Sequence, residues 1–183
     1  HPDRPLPSGR VSVPEVAAFT VILSAAGLSI AASQGPLVLA FTVLIWILGL
    51  LYNWRLKRLG LPGNAIVAMS VGMTFVLGGM MAGRPDSGLV WTFAIMASLF
   101  DLAEEVSGGI MDAEGDALIG SRSIARLFGR RAALSLVTAL FASFMVLGTV
   151  PFISGWLGWP YLVLMIAADI TVAFLVIRLW RSS

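Results

Sequence analysis

The sequence predicts an all-α fold, a polytopic transmembrane helical bundle of about six spans, and two observations carry that prediction. Hydrophobic residues make up 58% of the 183 positions and charged residues only 12%, with a mean hydropathy of +0.91. Soluble domains hold roughly 45–50% apolar and about 25% charged residues. The apolar positions also gather into runs near the ~20 residues that a helix needs to cross a hydrocarbon core of about 30 Å. In lipid every backbone polar group must be satisfied within the protein, which helical spans achieve on their own. Spending the chain on such spans leaves no room for a second domain, so residues 1–183 are expected to form one. The absence of cysteine excludes disulfides and thiolate metal sites. The sequence pI is about 9.7, but the formal net charge is only +2 and the basic residues lie between apolar runs. Membrane topology accounts for that distribution, and a nucleic-acid partner is not expected.

In chain order, HPDRPLPSGR is polar and rich in proline and lacks the apolar core of a secretory signal. Ser12, Pro14 and Glu15 mark a helix start, since proline is tolerated in a first turn, and the first span follows from about Val16 to Ser33. Gln34, Gly35 and Pro36 make a tight reversal into a second span, Leu37 to Leu51, closed by the interfacial aromatics Tyr52 and Trp54. Arg55, Lys57 and Arg58 occupy a loop ended by Gly60, Pro62 and Gly63. The third span, Asn64 to Ala82, is rich in Gly, Met and Ala, and its small residues allow close helix approach. A short turn leads to the fourth span, Gly88 to Met111, which contains Asp101, Glu104 and Glu105. After the longest loop come a fifth span, Ala132 to Ile153, a Gly- and Trp-rich turn, and a sixth span, Tyr161 to Leu179, which carries Asp169.

Basic residues give the orientation. Arg4, Arg10, Arg55, Lys57, Arg58, Arg122, Arg126, Arg130, Arg131, Arg178 and Arg181 fall on one side of this topology and only Arg84 on the other. Cytoplasmic loops collect Lys and Arg, so the motif loops and both ends of the chain are expected in the cytoplasm.

The acids of the fourth span are too costly to be incidental. Each carboxylate at mid-membrane costs about 2.5–3.5 kcal/mol, so three cost on the order of 8–10, more than the apolar residues of that span return. They are expected to face a polar cavity, one another or cations. On a continuous helix Asp101, Glu105, Gly108, Asp112 and Asp116 share one face. Asp112 and Asp116 form a D-x-x-x-D pair whose carboxylates can approach to roughly 6 Å and suit a hard divalent ion; Mg²⁺ favours one or two carboxylates together with phosphate oxygens. The arginines after the pair, Arg122 first, could supply cations for a phosphate group.

At this point the sequence resembles a known family. DAEGDALIGSRSIARLFG is similar to the second aspartate-rich motif of UbiA-type intramembrane prenyltransferases. HPDRPLPSGRVS resembles the segment that follows that family's first aspartate-rich motif, and YNWRLKRLGLPGN its tyrosine-and-lysine loop. The resemblance covers essentially the whole chain. It implies a nine-span helical fold, with Mg²⁺ bridging two aspartate motifs to an allylic diphosphate. The membrane-embedded prenyl group passes to a hydrophobic or amphipathic acceptor: an aromatic, a glyceryl phosphate or a tetrapyrrole. By that resemblance Asp112 and Asp116 hold the metal. Arg4, Arg10, Lys57, Arg58 and Arg122 contact the diphosphate, and Tyr52 and Asn53 donate hydrogen bonds to it. Asp101, Glu104 and Glu105 shape the acceptor side or take a proton. The first motif, N-D-x-x-D-x-x-x-D, is not in the chain, which therefore reads as a piece truncated at the N-terminus and at the C-terminus and is expected to be inactive alone. A six-span transporter or channel with an acid-lined path is the alternative, but it predicts acids on several helices rather than one. Acceptor identity, prenyl length and oligomeric state stay open.

Overall fold

The computed structural model describes residues 5–112, 120 and 122–182. Among these, all regular structure is helical. The α-helices are α1 (Val13–Ser33), α2 (Pro36–Trp54), α3 (Leu61–Met81), α4 (Gly88–Met111), α5 (Ile124–Gly148), the four-residue α6 (Val150–Ile153) and α7 (Trp159–Arg181), with a 3-10 turn over Leu56–Leu59. Five stretches, with α5 and α6 taken together, are long and apolar enough to cross a membrane. The fourth predicted span forms a helix of 24 residues, long enough to cross, but its carboxylates set it apart from the others.

The chain divides into two compact units, residues 1–44 and 45–183. In the first, Ser12 caps α1 through a reciprocal box. Its backbone N–H donates to Glu15 Oε2 at 2.7 Å, while the Glu15 N–H donates to Ser12 Oγ at 3.4 Å. The box satisfies two helix-end donors and fixes the start three residues earlier than the apolar run suggests. The hairpin at Gln34 and Gly35 follows as expected, with the Gly35 N–H donating to the carbonyl of Ala32.

The second unit is built on α3, α4 and α5. Ala68, Ala94, Ala103 and Ala133 are all buried, because small side chains bring helix backbones together where lipid provides no hydrophobic drive. A Cβ on Gly72 would collide with Ser98 Oγ and the carbonyl oxygen of Ala94, so the third span's glycine serves its contact with α4. Val106, Ala133 and Val137 form the centre of the core, with Leu61, Leu102, Ile110, Phe141 and Leu179 packed around them. Phe100 meets Phe141 and Phe144 edge-on, each at 5.4 Å between ring centres. Large apolar side chains instead point outward: Leu164 is 71% exposed and Ile153 77%. An outward apolar surface of this kind calls for lipid.

The fifth helix differs from expectation at both ends. It begins at Ile124 rather than Ala132 and is broken at Gly129, whose φ of 85° and ψ of 163° are not helical. The far end stops at Gly148 and restarts as α6, where Pro151 has no N–H to continue the ladder. The freed Gly148 carbonyl accepts the Tyr161 hydroxyl of α7 at 2.7 Å. Beyond the break at Gly129, Arg130 Nη2 donates to the carbonyl of Leu179 at 2.8 Å and to the carbonyl and hydroxyl of Ser182, closing the end of α7.

Candidate active site

Two stretches distant in sequence meet in the second unit. The last turn of α2 carries Tyr52, the 3-10 turn carries Lys57 and Arg58, and the second half of α4 carries Asp101, Glu104 and Glu105. The charge of Glu105 interacts with Lys57, and both Glu105 and Asp101 lie within electrostatic reach of the Tyr52 phenol. Asp101 and Glu105 are partly buried, whereas Glu104 is exposed. One oxygen of Asp101, Oδ2, is buried without a hydrogen-bond partner. Of the three acids, Glu105 has the cation within reach, Asp101 lies near the phenol and the other carboxylates, and Glu104 is exposed.

The basic turn is also joined to the segment leading into α5. The backbone N–H of Arg122 donates to the carbonyl of Arg58 at 3.3 Å, so the side chains of Arg58 and Arg122 leave the backbone from neighbouring points. Both are exposed, as is Lys57. Three cations at one corner can receive a doubly charged phosphate group better than any one of them.

Asn53 Nδ2 donates to the Gly49 carbonyl at 3.0 Å, which commits one of its N–H groups to its own helix. Arg10 belongs to the first unit, where its Nε donates to Ser8 Oγ at 3.0 Å. Arg4 and Asp116 lie outside the described residues. Asp112 is the C-cap of α4, with φ −108° and ψ 30°, and its N–H donates to the Gly108 carbonyl. The acidic stripe along one helix face therefore runs only to Met111, and Asp112 does not extend it as a helical residue. Asp112 is exposed, and the terminal carbonyls of α4 add partial negative charge beside its carboxylate. Among the described residues no group of three or more Asp, Glu, His or Cys could hold a metal ion. Asp169 stands apart on α7, one oxygen buried and unpartnered, near Tyr161. The sequence reading missed Gly60 and Ser123. Gly60 has a φ of 69° and a ψ of −128°, and Ser123 is a buried N-cap whose side chain makes no cap bond. The glycine that ends the basic loop was a legible signal for the first; nothing local marks the second.

Known proteins resemble this chain along most of its length. A digeranylgeranylglyceryl phosphate synthase from Methanopyrus kandleri is 38% identical over 168 residues, covering 92% of this chain and 61% of the relative. The enzyme of the same name from Hyperthermus butylicus is 34% identical over 189 residues, covering 99% and 63%. The chain thus spans about three fifths of the length of these curated relatives. Among solved structures, a digeranylgeranylglyceryl phosphate synthase described in membranes superposes with a TM-score of 0.76 at 26% identity, over 99% of this chain and 64% of that one. An apo UbiA homologue from Aeropyrum pernix K1 superposes at 0.85 with 23% identity, over 97% and 67%, and shares the fold. None of these similarities supports a transporter. The family model of the UbiA prenyltransferases matches residues 1–183 throughout. With its apolar helical spans and its acids gathered against a basic turn, the chain is an integral membrane protein that belongs to the UbiA prenyltransferase family.

Proposed function

We propose that the protein transfers a geranylgeranyl group from its allylic diphosphate to a glyceryl phosphate that already carries one such group, within the membrane. The observation that carries this reading is the 38% identity to a digeranylgeranylglyceryl phosphate synthase across 92% of the chain, acid helix and basic turn included. It favours the glyceryl phosphate over the aromatic and tetrapyrrole acceptors. Both units belong to one prenyltransferase domain in this reading, and the motif loops and the ends of the chain face the cytoplasm.

Lys57, Arg58 and Arg122 bind the diphosphate, and the Tyr52 hydroxyl donates to it. As the allylic C–O bond breaks, its electron pair leaves with the diphosphate, and these groups stabilise that charge where it develops. The acceptor hydroxyl oxygen forms the new C–O bond and gives up its proton to a carboxylate. Asp101 is suited to that role, because its buried Oδ2 has no competing partner; Glu105, whose charge interacts with Lys57, helps to position the cation. Water excluded from the apolar bundle cannot capture the prenyl cation. Mg²⁺ suits the carboxylate oxygens of the D-x-x-x-D pair: Asp112, which caps α4, and Asp116 would hold it together with phosphate oxygens, and when bound it would neutralise charge on the leaving group.

The test measures transfer from geranylgeranyl diphosphate to geranylgeranylglyceryl phosphate in lipid nanodiscs. It uses the chain alone and the chain joined to the unmatched part of the Methanopyrus kandleri relative. Transfer should require Mg²⁺ and fall at least about a hundredfold on Asp112→Ala or Asp116→Ala with membrane insertion intact. Full turnover in those variants would sink the metal assignment, and no transfer from either protein would sink the reading itself.

A further inference from the structure

Gly60 stands where the basic turn ends and α3 begins, and it is buried although it has no side chain to bury. Its φ of 69° with ψ of −128° lies in a region that residues with a Cβ rarely adopt. A Cβ here would overlap the carbonyl oxygen of Arg122, reach within 2.6 Å of the Arg122 carbonyl carbon and lie 3.3 Å from the Ser123 nitrogen. All of these are backbone atoms, which cannot swing aside as a side-chain tip would. The Arg122 N–H to Arg58 carbonyl bond lies beside this contact. One hydrogen bond and one bare backbone surface therefore seat the basic turn directly on the segment that opens α5.

We infer that Gly60 is a positioning residue for the diphosphate: its missing side chain lets Lys57 and Arg58 approach Arg122 closely enough for all three to act on one anionic group. The inference rests on the proposed function for the identity of that group. The seat itself stands on the backbone geometry alone. Any side chain at position 60 holds the two segments apart, and the loss falls on binding of the charged end of the donor rather than on the bundle, whose centre is formed by Val106, Ala133 and Val137.

The experiment compares Gly60→Ala with Gly78→Ala in the full chain in nanodiscs, since a Cβ at Gly78 of α3 meets nothing within 4 Å. Inorganic diphosphate with Mg²⁺ is the probe, and thermal unfolding and amide hydrogen exchange are followed in parallel. Gly60→Ala should weaken diphosphate binding about tenfold and raise exchange together in segments 56–63 and 120–126. Its melting temperature should fall by several degrees, as strain at one buried glycine requires, while the bundle still folds cooperatively and Gly78→Ala binds and melts like the unaltered protein. Diphosphate binding unchanged by Gly60→Ala would overturn the inference and leave the proposed function standing. If Gly60→Ala does not fold, the unaltered protein is read instead: diphosphate with Mg²⁺ should slow exchange in segments 56–63 and 122–126 together, and slowing in only one of them would overturn the inference. A protein that binds no diphosphate even when joined to the unmatched part of the Methanopyrus kandleri relative would overturn the functional reading and this inference with it. The exchange measurement would still show whether the two segments are seated together.

Discussion

Lys57 and Glu105 come from segments far apart in the chain, and their charges meet in the site. Removing the cation leaves the carboxylate of a membrane helix without that compensation and takes one charge from the diphosphate. Lys57→Gln should therefore weaken donor binding about tenfold, equivalent to about 1.4 kcal/mol, in an equilibrium binding assay. Lys57→Arg should keep most of the affinity, because the charge remains. Asp101→Asn should show the opposite division: donor affinity within about twofold, but turnover reduced about a hundredfold in a steady-state transfer assay, as expected for loss of a proton acceptor. Equal losses in binding and turnover would remove Asp101 from that role. The residue types of the site were legible because acids in an apolar run and cations in a short loop both stand out against their surroundings. Their companions were not. Asn53 commits one of its N–H groups to a carbonyl one turn back in its own helix, and Gly60, legible as the end of the basic loop, was not legible as a seat against Arg122, a contact between stretches far apart in the chain.

At the scale of the helices, the pair α3 and α4 carries the site, since the basic turn runs into one and the acids lie on the other. Their contact depends on backbone proximity at Gly72. Gly72→Val should force the helices apart and lower stability by about 1–3 kcal/mol, the usual range for overpacking, measured as a lower melting temperature in detergent. Gly78→Val, pointing into open space, should have little effect. The apolar runs located the spans because hydropathy sums over many residues, but helix ends depend on single bonds. The capping box at Ser12 starts α1 early, and the polar opening of α5, with Arg126, Arg130 and Arg131, hid a helix that hydropathy alone reads as loop. At Asp112 the acidic stripe assumed a helix that had already stopped. Pro151 was readable as a possible break, and its effect falls there, between α5 and α6.

Across the whole molecule the distribution of charge makes a sidedness prediction that the absence of cysteine makes easy to test. Single cysteines at Asp86 and at Arg131 should react with a membrane-impermeant maleimide from opposite faces of sealed vesicles, with Arg131 on the cytoplasmic side. Labelling of both from one face would overturn the topology. The bonds between α5 and α7 bear on how the protein is made. Tyr161 satisfies the carbonyl left open at Gly148, and Arg130 satisfies carbonyls at the end of α7, so each helix completes the other. Hydrocarbon offers no water to take the place of the Tyr161 hydroxyl, whereas the Arg130 bonds to Ser182 lie at the exposed end of α7. During synthesis α5 reaches the insertion channel with its end unmet until α7 follows, and the two should pass into the bilayer as a pair. Nascent chains arrested just after Ile153 should still crosslink to the channel, and chains arrested after α7 has emerged should not.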